Sequence, residues 1–278
     1  METKRLSGFL NGLATALVAL FFALVLHEFL HMAYGLLTGM EVRAFNLFAV
    51  DVVRYGDEAH RFADLLMEAG PSLTNAVLGL VSLCVLRCRK LSSLARQFTL
   101  QLMGYNMLMG FGYMMIDALI YSPGAAGDWK SVLDMYNGSL ALRIPLGIVG
   151  VAGVLFTYFR LAYEIYSFVD DPDSKEQRRA AAARIYLVPY IVWGVVYTIL
   201  GIWHPLEMNG FIINAMMVIM GFCGFLWAFL FSVHWLKPPK KLPPKTALVL
   251  KPSIPWLVIS ALILIFEAAV LLPTVYFK

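Results

Sequence analysis

The sequence predicts an all-α polytopic membrane protein, with about seven transmembrane helices and a short β-hairpin after the first. Three observations carry that expectation. Of 278 residues, 60% are hydrophobic and only 14% charged, whereas a soluble domain is roughly half apolar and about a quarter charged. The apolar residues come in long blocks, most near the ~20 residues that cross a bilayer core. Lysine and arginine gather on alternate connections between those blocks, as membrane topology favours.

The blocks are Gly8–Leu37, Ala69–Leu86, Phe98–Tyr121, Ile144–Phe168, Ile185–Trp203, Phe211–Leu236 and Ile254–Tyr276. The first is too long for a removable signal and lacks a small-residue cleavage site, so it is expected to remain as a span. Pro145, Pro189 and Pro255 fall near span starts, where a missing N–H does least harm. Gly70, Gly104, Gly110 and Gly112 suit close packing of helices. Cys84, Cys88 and Cys223 follow no metal or disulfide spacing and read as packing residues. Between the first two blocks, Glu41–Val53 alternates loosely and is rich in Val and Phe. That suits a β-hairpin, with an irregular loop on the bilayer surface as the other reading.

None of the polar connections reaches the ~50 residues of a separate soluble domain. The N-terminus, Arg87–Arg96, Lys175–Arg184 and Lys237–Lys251 hold fifteen lysines and arginines. The opposite side holds six: Arg43, Arg54, Arg61, Lys130, Arg143 and Lys278. This asymmetry predicts a cytoplasmic N-terminus. The charge belongs to a membrane surface, and no nucleic-acid motif accompanies it.

Near the far end of the first block stand His27, Glu28 and His31, in the pattern His-Glu-x-x-His. Ionisable groups inside an apolar span cost several kcal/mol unless something compensates them. On a helix, positions i and i+4 share a face, so both imidazoles can reach one Zn²⁺ at about 2.0–2.1 Å. Glu28 is then placed as general base toward a water. A dication between the side chains removes the cost of burying them. A catalytic zinc site needs a third protein ligand, and the fourth position stays open. Asp117, Asp128, His204, Glu207, His60 and Glu267 are the candidates that topology leaves, and His234 lies at the wrong end.

With these residues in view, the chain resembles the site-2 protease family of intramembrane zinc metalloproteases. Three pieces carry the resemblance: His27-Glu28-Phe29-Leu30-His31 in a span, "AGPSLTN" (69–75) on the next helix, and a later span ending near an aspartate. They cover about the first 135 residues, which the resemblance marks as a catalytic core (1–135) of a single membrane-embedded domain. Residues 136–278 are additional helices. The family's Leu-Asp-Gly element is absent, and Gly127-Asp128-Trp129 looks like a divergent version. The resemblance thus implies one Zn²⁺ per chain held by His27, His31 and Asp128, with Asp117 as the alternative third ligand. It implies Glu28 as catalytic base and Asn75 as a hydrogen-bond donor to substrate or oxyanion. The substrates it implies are transmembrane segments of other membrane proteins, entering as extended strands along the hairpin edge. The competing reading is a non-proteolytic membrane protein in which the same ligands hold zinc for structure or ion transport. A transporter would show paired broken helices in two related halves, and none is visible. A di-iron lipid desaturase needs several more histidines than the five present.

Overall fold

The computed structural model describes residues 2–124, 127–205 and 207–277. Lys278, one member of the charge count, lies outside them. The elements in order are α1 (Glu2–Leu37), β1 (Val42–Asn46), β2 (Ala49–Val52), α2 (Arg61–Cys88), α3 (Ser93–Leu119) and α4 (Asp128–Met135). After these come α5 (Leu140–Glu164), α6 (Lys175–Ala182), α7 (Val188–Leu200), α8 (Glu207–Met216), α9 (Gly224–His234), α10 (Ile254–Phe266) and β3 (Val275–Tyr276).

Among the described residues, six helical segments rather than seven are long and apolar enough to cross a membrane. They are Gly8–Leu37, Arg61–Cys88, Leu140–Phe168, Lys175–Trp203, Glu207–His234 and Ile254–Leu271. The exception is the third expected span, within α3. Its low apolarity has a physical reason. α3 packs against α1, α2 and α5, so its polar side chains meet protein rather than lipid. Gln97 Nε2 donates to Thr15 Oγ1 at 2.9 Å, and Gln101 Nε2 donates to the Ile185 carbonyl at 2.8 Å. Arg96 is buried and pairs with Glu164 of α5 at 2.9 Å, while donating to the Leu86 carbonyl. Backbones approach closely here. A Cβ on Gly110 would sit 2.7 Å from both the Ser72 carbonyl oxygen and the Ala76 nitrogen of α2, which only glycine allows.

The hairpin expected after the first span is present. β1 and β2 pair antiparallel, with Phe45 opposite Val50 and Asn46 opposite Ala49. A third strand joins them. The last apolar helix stops at Leu271 rather than running to Tyr276, and Val275–Tyr276 pairs antiparallel with β1. The order is therefore β2-β1-β3. β1 is covered on both sides, and β2 keeps one open edge. Asn46 ties the hairpin to the chain end: its Nδ2 donates to the Leu272 carbonyl and Thr274 Oγ1, both at 2.9 Å, and its Oδ1 accepts from Phe48 N at 3.0 Å.

Asn46 is 1% exposed, so removing its amide leaves part-buried partners unsatisfied at a cost of about 1–3 kcal/mol. Asn46→Ala is expected to speed amide hydrogen exchange in both 42–46 and 275–276. Exchange unchanged in 275–276 would mean that Asn46 does not hold the third strand.

Candidate functional site

His27 and His31 project from one face of α1 toward α2 and α4. Their Nε2 atoms lie 3.3 Å apart. Asp128, the first residue of α4, meets them from the other side: its Oδ2 is 3.0 Å from His27 Nε2 and its Oδ1 is 3.4 Å from His31 Nε2. The three groups form a cluster able to hold a metal ion, their ligand atoms within 4.8 Å of one another. A tetrahedron with metal–ligand bonds of about 2.0–2.1 Å has edges of roughly 3.3–3.4 Å, close to the spacings found.

The hydrogen bonds behind the rings fix which nitrogen faces Asp128. His31 Nδ1 lies 2.8 Å from the Met67 carbonyl. A carbonyl only accepts, so Nδ1 carries a proton, and it is the neutral ring that presents an Nε2 lone pair to a metal. His27 Nδ1 lies 3.0 Å from Asn75 Oδ1. Asn75 is oriented in turn, because its Nδ2 donates to the Ala23 carbonyl at 3.1 Å and to Asn106 Oδ1 at 2.9 Å. Both amide hydrogens are used, so Oδ1 must be the atom that accepts from His27. Tyr113 stacks on the His27 ring, with centroids 5.2 Å apart. Such supports hold metal-ligating imidazoles in register.

In this structure the polar atoms of Asn75 are turned to protein partners. It is fully buried behind His27, with no amide hydrogen left for a substrate or oxyanion. It links α3 and α2 to the imidazole on α1.

Asp117 also has another task. Its Oδ2 accepts from Trp129 N at 3.0 Å and Lys130 N at 3.3 Å, and Lys130 Nζ lies 3.9 Å from Oδ1. A carboxylate at a helix N-terminus satisfies free N–H groups and faces the positive end of the dipole. Asp117 thus anchors α4 and places Asp128. Gly127 makes the approach feasible: its φ is +143°, and a Cβ there would lie 3.0 Å from Asp117 Oδ2.

The other candidates stand outside the three-residue cluster, though His204 lines the cavity onto which it opens. His60 is exposed and paired with Asp57 at 2.9 Å. Glu207 is exposed. Glu267 is buried and accepts from the Tyr197 hydroxyl. His204 stacks on Phe48 beside the hairpin turn, and burial lowers its pKa, which favours a neutral ring.

Glu28, His31 and Asp128 open onto a cavity of about 500 Å³, whose wall includes Ala49, Val50 and Val52 of β2. The strand with the open edge thus borders the histidine–aspartate cluster. The sequence reading missed two residues here. Ser72 Oγ donates to Asp128 Oδ2 at 3.0 Å. Glu68 lines the cavity and pairs with Arg54 at 3.1 Å. Both were findable, since 68, 72 and 75 are spaced i, i+4, i+7 and so form one stripe of α2. The expected span began at Ala69 and left Glu68 outside.

Set against family models, curated proteins and solved structures, the chain gives no significant match to any of them.

Gly124 also has a positive φ, +70°, but a Cβ added there would meet nothing within 4 Å. Gly124→Ala is expected to cost about 1 kcal/mol. Gly127→Ala is expected to cost more, about 2–3 kcal/mol, because strain adds to the push on Asp117. Thermal unfolding in detergent compares them, and equal losses would contradict the role given to Gly127.

Proposed function

We propose that this chain is an intramembrane zinc metalloprotease of the site-2 protease kind, hydrolysing peptide bonds in or near transmembrane segments of other membrane proteins. One observation carries the reading: two buried imidazoles and a carboxylate converge on one point, and Glu28 and the open edge of β2 border the same cavity. His27, His31 and Asp128 would hold the zinc, and their donor set and spacing fit it. A zinc ion held there supplies a Lewis acid that activates water and polarises a peptide carbonyl.

The chain's own residues account for the rest. Glu28 is 6% exposed and follows His27 directly, so its carboxylate reaches the cavity beside the cluster. It accepts a proton from water as the water oxygen bonds to the carbonyl carbon. It then returns that proton to the amide nitrogen as the C–N bond breaks. A transmembrane helix hides its peptide bonds within its own hydrogen bonds, so a substrate must unwind to be cut. The β2 edge offers replacement partners to an unwound segment. Phe48, Val50 and Val52, beside Met67 and Tyr113, supply apolar surface for its side chains.

Glu28→Gln tests the reading, because it keeps shape and removes the base. The variant is expected to retain about one zinc per chain and to lose cleavage of a reconstituted single-span substrate by at least ~10²-fold. Retained cleavage would remove Glu28 from the chemistry. Asp128→Asn is expected to lower zinc content, and Asp117→Asn to lower it less. The reverse order would make Asp117 the third ligand.

A further inference from the structure

At the opposite end of the bundle, residues 237–253 join α9 to α10 without regular structure. This segment holds five lysines, five prolines and no acidic residue. The prolines deny it a helix, and side chains of three helices hold it in place. Asn11 of α1 donates to the carbonyls of Val249 and Lys251 at 3.0 and 2.8 Å, and its Oδ1 accepts from Ser253 N at 2.9 Å. The Tyr163 hydroxyl of α5 donates to the Lys241 carbonyl at 2.6 Å. Ser93 of α3 bonds to the Ala247 carbonyl, and Thr246 N donates to the Ser167 carbonyl at 2.8 Å. The result is a strap lying across the ends of α1, α3 and α5.

Its charges point outward. Lys237, Lys240, Lys241, Lys245 and Lys251 are all exposed, as are Arg87 in the last turn of α2 and Arg89 and Lys90 on the α2–α3 turn beside Ser93, which bonds to the strap. Among the described residues, none of the ion pairs involves these eight cations. Lys245 bonds to the Asp170 backbone carbonyl, not to a carboxylate. The depth is fixed by the flanking helices. One apolar segment ends at His234 and the next begins at Ile254, so the strap leaves and re-enters at the hydrocarbon boundary. Trp235, 59% exposed, stands beside it, where indole rings favour the interface.

We propose that the strap and the α2–α3 turn form a docking surface for the anionic phospholipid headgroups of the adjoining leaflet. The five lysines are distributed along a segment without regular structure, which suits an array of charged headgroups. The strap is already ordered by its hydrogen bonds, so binding orders little more of the backbone. Each lysine near an anionic surface contributes roughly a fivefold preference, and a zwitterionic headgroup brings its own ammonium against the same charges.

The test equilibrates the full chain in vesicles of equal phosphatidylglycerol and phosphatidylcholine, purifies it in detergent and quantifies retained lipid by mass spectrometry. Phosphatidylglycerol is expected to be retained at least about fivefold over phosphatidylcholine, falling toward parity in about 0.5 M salt. Replacing Lys237, Lys240, Lys241, Lys245 and Lys251 together by glutamine should sharply reduce the preference at an unchanged thermal midpoint, leaving only what Arg87, Arg89 and Lys90 supply. Replacing all five by arginine should keep it. Parity in the unmodified chain, an undiminished preference in the glutamine variant or loss in the arginine variant would each overturn the proposal. Loss of the preference to inorganic phosphate matched in concentration to the lipid would overturn it too, by indicating a discrete ion site. Should the glutamine variant not fold, the salt titration and the arginine variant still decide.

Discussion

Two imidazole Nε2 lone pairs 3.3 Å apart, both aimed at one carboxylate, repel one another unless positive charge sits among them. In water the repulsion would be small. Here the rings are 1% and 8% exposed, and at low dielectric unpaired charge is expensive. The tautomers are set from behind by the Met67 carbonyl and by Asn75, so the rings cannot readily turn away. Much of the surrounding architecture serves this convergence. Asn106 orients Asn75, Asp117 and Gly127 place Asp128, Ser72 supports its carboxylate, and Tyr113 covers His27.

The helices beyond residue 135 have a structural part in this arrangement. α10 packs against α1, and the chain beyond it supplies β3 and the Leu271 and Leu272 carbonyls that fasten β1. His204, on the connection before α8, backs the hairpin turn at Phe48. Together they close one side of the sheet and leave β2 open beside the cavity. Residues on both sides of position 135 thus build the wall of the cavity, His204 and Ile213 among them.

What the sequence revealed was local. His27 and His31 are one helical turn apart, so their shared face follows from α-helix geometry. The hairpin followed from alternation between two apolar blocks. What stayed hidden depends on partners far along the chain. α3 reads as a span until Gln97, Gln101 and Asn106 are seen to bond to α1, α2 and the Ile185 carbonyl. β3 pairs with a strand about 230 residues earlier, and two residues of Val-Tyr carry no strand signal of their own. Asp117 and Asp128 are separated by a turn whose path the sequence does not dictate, so choosing between them needed the positive φ of Gly127 and the N–H groups it exposes. Asn75 was marked by its motif, but its hydrogen-bond partners, His27, the Ala23 carbonyl and Asn106, lie on two other helices.

X-ray absorption at the zinc K edge, on purified chain equilibrated with Zn²⁺ and freed of excess, tests the convergence most directly. The account predicts two imidazole nitrogens and a carboxylate oxygen at about 2.0–2.1 Å. Folded protein that retains no zinc, or a spectrum of oxygen neighbours without imidazole scattering, would contradict it.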